Sequence, residues 1–196
     1  MIINQTDGIL ARLSITNILW IALLGACWQQ GWLQYIFNQD ISFISHGIAV
    51  FSLMVVTLSF WKGFVLSVLL GNPSDLRDRY IDKMDSVGKD RRDGIKEIVK
   101  TELVSYISFI EYFATTALAV GVLGTVIGLI LGFQNVDAAS ISNVENAGAT
   151  VADVLKGLSV AFHTTLVGGI ANLWIRTNHF MLSQASAKIY TKTLGG

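Results

Sequence analysis

The sequence predicts an all-α membrane protein, with four transmembrane helices, both termini on the cytoplasmic side and short helical cytoplasmic extensions. Three observations predict it. The 196 residues are 52% hydrophobic and 14% charged, with a mean hydropathy of +0.54 and a single proline. Soluble domains carry about 25% charged residues, and disordered chains carry fewer apolar ones, so this balance fits neither class. Four apolar runs, about residues 13–28, 43–61, 114–133 and 154–175, have roughly the 20 helical residues that a hydrocarbon core of about 30 Å requires. The basic residues are also segregated: residues 72–102 hold eight of the fourteen, whereas the connections 29–42 and 134–153 hold none. Basic residues are retained on the cytoplasmic side, which puts the 72–102 loop and both termini inside. Residues 1–196 read as one membrane domain.

The first run follows Arg12, the only basic residue before it, and no A-x-A-like cleavage site follows. It therefore reads as an uncleaved span and not as a signal peptide. Trp28, Trp32 and Tyr35 after it form an aromatic belt at one interface, and Trp61 and Trp174, beside Lys62 and Arg176, mark the other. Pro73 after Gly71 is a natural stop for the second span. The charged loop interleaves eight acids with its eight bases, the pattern of a solvated helix laced with ion pairs, or else of a docking surface for a cytoplasmic partner. Gly88 and Gly94 are its expected turn points.

The third run carries Gly124, Gly128 and Gly132 at intervals of four, with Ala117 and Gly121 extending the strip. One face of this helix has almost no side chains, so another backbone can approach it closely, within the chain or between subunits. The fourth run has a matching stripe of Gly157, Ala161, Thr165, Gly168 and Asn172, while Leu158, Phe162, Leu166, Ile170 and Leu173 fill another face suited to lipid. Counting at 1.5 Å per residue from the shared outer connection puts Thr125 and Thr165 near one depth, close to the membrane midplane. Two hydroxyls there line a narrow polar path or each bond back to their own helix. His163 is an ionisable group inside a span, either a possible proton relay or a packed, hydrogen-bonded ring.

The same sequence excludes several classes. One cysteine, Cys27, allows neither an internal disulfide nor a thiolate metal cluster, and no metal site is expected. The formal net charge of zero gives no reason for a nucleic-acid partner. There is no nucleophile elbow, no H-E-x-x-H and no His–carboxylate cluster, so no catalytic residue and no enzyme is expected. No Asp or Glu stands in the middle of a span, and Glu111 falls a turn inside the cytoplasmic end of the third. Any proton path then needs a carboxylate from elsewhere.

Gly121-Val-Leu-Gly-Thr-Val-Ile-Gly128 and Ala161-Phe-His-Thr-Thr-Leu-Val-Gly168 resemble the third- and fourth-span signatures of the MotA/TolQ/ExbB proton channel family, over roughly residues 111–174. The four-span layout with a basic loop after the second span is similar to the flagellar stator branch. The resemblance implies a homopentamer in the bacterial inner (plasma) membrane, in contact with lipid, around two copies of a single-span MotB/TolR/ExbD-like partner whose aspartate supplies the missing carboxylate. It implies an ion-motive-force-driven motor with no bound cofactor and H+ as the transported ion. Thr125, Thr164 and Thr165 match its ion path, and the adjacent pair Thr164–Thr165 makes Na+ the alternative. Gly121, Gly124, Gly128, Gly132, Gly157 and Gly168 fall to helix packing.

Three departures shape the expectation. Leu118 stands where the family usually has a proline, Val160 stands where transport members carry a carboxylate, and the cytoplasmic loop is short. That loop argues against flagellar rotation and leaves transport, surface motility or envelope defence. A non-conducting membrane scaffold is the competing function.

Overall fold

A computed structural model of the chain describes residues 3–40, 42–71, 89–134, 136 and 144–194. They form five helices and, among the described residues, no strand: α1 (Ile3–Gln29), α2 (Trp32–Gln39), α3 (Ile44–Gly71), α4 (Lys89–Phe133) and α5 (Val144–Leu194). Four are long and apolar enough to cross a membrane, over Gly8–Gln29, Ile44–Val68, Ile107–Phe133 and Ala147–Lys188. Ile18, Leu19, Leu53, Leu123, Ile130 and Phe162 are all more than half exposed, an apolar exterior that water would penalise and hydrocarbon does not.

The breaks between helices have local causes. Gly31 adopts the left-handed conformation (φ 78°) and its N–H donates to Trp28 O at 3.0 Å, a stop that glycine makes without Cβ strain. Its carbonyl at once accepts Tyr35 N–H at 2.9 Å and starts α2, a helix absent from the sequence-based expectation. The start of α3 is capped twice. Buried Asp40 accepts the Ser45 N–H at 2.7 Å and the Ser42 N–H at 3.0 Å, while Ser42 Oγ accepts the Ile44 N–H at 3.4 Å. Burial pushes the Asp40 carboxyl up, but these donations and the Ser42 hydroxyl outweigh it and hold the group below its ordinary value. Gly94, expected as a turn, lies inside α4, because a helical glycine costs only about 1 kcal/mol against alanine and does not end a helix alone. The charged loop is thus helical from Lys89 onward; Pro73 and Gly88 lie outside the described residues.

The chain divides into two compact units. Unit 1 comprises Met1–Trp20, Val55–Tyr112 and Ile175–Gly196. Its core is built from Leu13, Leu66, Ile107, Ile110, Ile175 and Leu182, each at most 2% exposed. Gly63 admits α1, since a Cβ there would stand 2.8 Å from Leu13 Cδ2. Inside this core Asn17 Nδ2 donates to Asn178 Oδ1 at 2.6 Å, and Asn178 Nδ2 returns a bond to Asn17 Oδ1 at 3.2 Å.

Unit 2 comprises Ile21–Met54 and Phe113–Trp174. Ala114, Ala117, Val160, Ala161 and Ala171 form its core, small residues that let α4 and α5 close up. Trp174 does not mark an interface as expected: it is 5% exposed, and it closes an apolar cavity of about 400 Å³ lined by Ile21, Phe37, Leu53 and Val167. A wide indole finds more contact area there than at the surface. Trp61 is exposed, as an interfacial anchor would be.

Candidate functional site

The glycines of α4 meet the small stripe of α5 within this one chain. A Cβ at Gly121 would stand 2.9 Å from Gly168 Cα and from Thr164 O. One at Gly124 would stand 2.7 Å from Thr164 Cβ, one at Gly128 2.6 Å from Ala161 N, and one at Gly132 3.0 Å from Gly157 Cα. Real Cβ atoms essentially never come within 3.0 Å of backbone, as those at Gly121 and Gly128 would, so these glycines are the condition for the contact. The intrachain alternative is therefore the one realised. Asn172 adds a polar bond to the same seam, Nδ2 to Ala114 O at 2.8 Å. That carbonyl sits four residues before Leu118, where the helix is unbroken.

Thr125 and Thr165 lie at the rim of the seam, and their hydroxyls hydrogen-bond to each other. Both also reach one carbonyl: Thr125 Oγ1 is 3.3 Å and Thr165 Oγ1 3.4 Å from Gly121 O. Thr125 thus makes the i−4 bond to its own helix, whereas Thr165 bonds across to α4. Each is half-buried, between the exposed apolar side chains Val122 and Val126 on α4 and Phe162 and Leu166 on α5. A polar spot bordered by apolar surface results.

Thr164 is not part of that spot. It is fully buried against Gly124, with its hydroxyl donating to Ala161 O at 2.9 Å. His163 meets Tyr35 of α2 edge-on, ring centroids 5.5 Å apart. Its Nδ1 is buried and has no hydrogen-bond partner among the described residues. Tyr35 and Asn172 were not singled out as partners in the sequence, although Asn172 falls on the small stripe of α5. No group of three or more His, Cys, Asp and Glu converges to hold a metal among the described residues.

In unit 1 a second polar group lies on the same two helices. Glu111 of α4 faces Arg176 (Oε1 to Nη2, 3.6 Å) and His179 (Oε2 to Nε2, 3.9 Å) of α5. The signal in the sequence was a lone carboxylate at a span end opposite a basic helix end.

Compared with known proteins, the chain matches the profile of the MotA/TolQ/ExbB proton channel family over residues 76–193. That is more than half of the chain and includes all of α4 and nearly all of α5. No curated protein and no solved structure gives a significant match.

Proposed function

Since this multi-pass membrane protein belongs to the MotA/TolQ/ExbB proton channel family, we propose that it is the ring-forming channel subunit of an ion-driven machine in the bacterial inner membrane. It acts as a homopentamer around two copies of a single-span partner, with its termini in the cytoplasm. The observation that carries this reading is the Thr125–Thr165 hydroxyl pair at the rim of the α4–α5 seam. A threonine hydroxyl both donates and accepts. Toward an ionised partner aspartate it donates; toward the protonated acid it accepts, so one side chain serves both states of a carboxylate that loads and unloads a proton. Gly121 O, in reach of both hydroxyls, takes up whichever donor the carboxylate releases.

The transported ion is H+. Na+ is disfavoured because Thr164, the second oxygen an adjacent pair would offer, is fully buried against Gly124 and away from the rim. The energised process is transport, surface motility or envelope defence. Thr125→Val with Thr165→Val keeps the side-chain shape and removes both hydroxyls. In vesicles containing the subunit and its partner, proton influx is expected to vanish while native mass spectrometry still finds five subunits and two partners. Unchanged influx would refute the role of the hydroxyl pair, and a wild-type complex without influx would favour the non-conducting scaffold, a role for which the glycine seam alone suffices.

A further inference from the structure

Between α4 and α5 of unit 1 lies a cleft of about 400 Å³, lined by Ser108, Glu111, His179, Ser186, Tyr190 and Thr191 among others. Its lining is less apolar than that of the cavity in unit 2. Ser108 Oγ donates to Ser105 O at 3.0 Å, and Thr191 Oγ1 reaches Ala187 O and Lys188 O at 3.1 Å. Their hydrogens are engaged with backbone, so their remaining lone pairs accept from water.

The two titratable groups in this cleft differ in exposure. The His179 side chain is 19% exposed and the Glu111 side chain 48%. The imidazole is sheltered, the carboxylate is wet, and Nε2 of one faces Oε2 of the other at 3.9 Å. Arg176 of α5 pairs with Glu111, and Tyr190 of α5 lines the same cleft. A sheltered imidazole beside an exposed carboxylate makes a step from the cleft toward solvent. A proton leaving a channel here needs a fixed acceptor to carry it through.

We propose that His179 and Glu111 form the proton-release site at the cytoplasmic end of the channel. The inference rests on the proton-conducting reading above. His179 Nδ1 takes the arriving proton from protonated water in the cleft, leaving neutral water, and the imidazolium gives its Nε2 proton to Glu111. The carboxylic acid then releases it to cytoplasmic water, and the ring regains its tautomer by exchange with cleft water. One proton enters and one leaves, and no other bond changes. Arg176 is a positioning residue: it holds Oε1, so that Oε2 is left facing the imidazole.

The test is proton flux through the full subunit with its partner in vesicles, read against the pH of the compartment that Glu111 faces. Glu111→Gln and His179→Gln are each expected to reduce flux by about a hundredfold, the lower range for removing a positioned acid–base group, and to flatten the dependence on that pH. Glu111→Asp is expected to restore most of the flux. Because the two groups act in series, the double variant is expected to be no slower than either single one. Ring mass by native mass spectrometry checks that each variant assembles. Glu111→Gln with wild-type flux and pH profile overturns the release site while leaving the channel intact. A wild-type complex that conducts no protons overturns the channel reading and the release site together.

Discussion

A single methyl group added to Gly128 tests the α4–α5 seam. The new Cβ would stand 2.6 Å from Ala161 N and 2.8 Å from Ala161 Cα, against the roughly 3.5–4.0 Å at which non-bonded atoms are comfortable. The obstacle is backbone inside a helix, so no rotamer change relieves it and α4 and α5 have to separate by about 1 Å. Such overpacking costs about 1–3 kcal/mol. The separation also weakens the contacts at Gly124 and Gly132 on either side, so the upper half of that range is expected. Gly169→Ala is the internal control: it lies on the same α5, nothing comes within 4 Å of its added Cβ, and alanine is the better helix former by about 1 kcal/mol. Thermal unfolding in detergent, followed by tryptophan fluorescence, should show Gly128→Ala melting lower than wild type and Gly169→Ala at or above it. Equal midpoints for the two variants would refute the claim that glycine is required here for contact within the chain.

Two further outcomes follow from the polar groups outside the seam. Asn17→Leu or Asn178→Leu leaves the opposite amide without its partner in the core of unit 1, a loss of about 1–3 kcal/mol; the double variant is expected to recover part of it, so additive losses in a double-mutant cycle would contradict the reciprocal bonds. The cap at the start of α3 depends on ionised Asp40, whose folded value lies below the ordinary 3.8. Its contribution, about 0.5–2 kcal/mol for a cap, is complete above that ordinary value and is lost as pH falls through the lower folded one. Hydrogen exchange at the Ser45 and Gly47 amides should therefore accelerate beyond its intrinsic pH trend in strong acid, and Asp40→Asn should abolish the extra acceleration.

Much of this was legible in the chain. Composition and four apolar runs give the helical class, because lipid leaves a backbone few ways to satisfy its hydrogen bonds. The glycine repeat and the depth of Thr125 and Thr165 give the seam and the hydroxyl pair, because both follow from helix geometry across one short connection. What escaped depends on long separations or on local caps. Asn17 and Asn178 are 161 residues apart, and nothing in the periodicity of either helix pairs them. The aromatic run of α2 reads equally well as loop, and only Gly31 before it and Asp40 after it mark it as a helix. Trp174 next to a basic residue has the signature of an interfacial anchor, yet the indole is buried. Ser45, Ser52 and Ser59 recur every seven residues along α3 and are all buried, with the hydroxyls of Ser52 and Ser59 bonded to Ile48 O and Val55 O at 2.6 and 2.8 Å. That repeat was visible but is less conspicuous than glycine.

The glycine seam also has a consequence for biogenesis. Its partners, from Gly121 with Gly168 to Gly132 with Gly157, are neighbours across a single connection, so closing them costs little chain entropy. The α4–α5 hairpin can zip as soon as both helices are inserted, without waiting for other copies of the chain. In the proposed ring each protomer would bring a finished hairpin to assembly, and the surface left exposed carries large side chains such as Leu123, Ile130 and Phe162. A quality-control protease meeting an unassembled subunit would find this hairpin already closed.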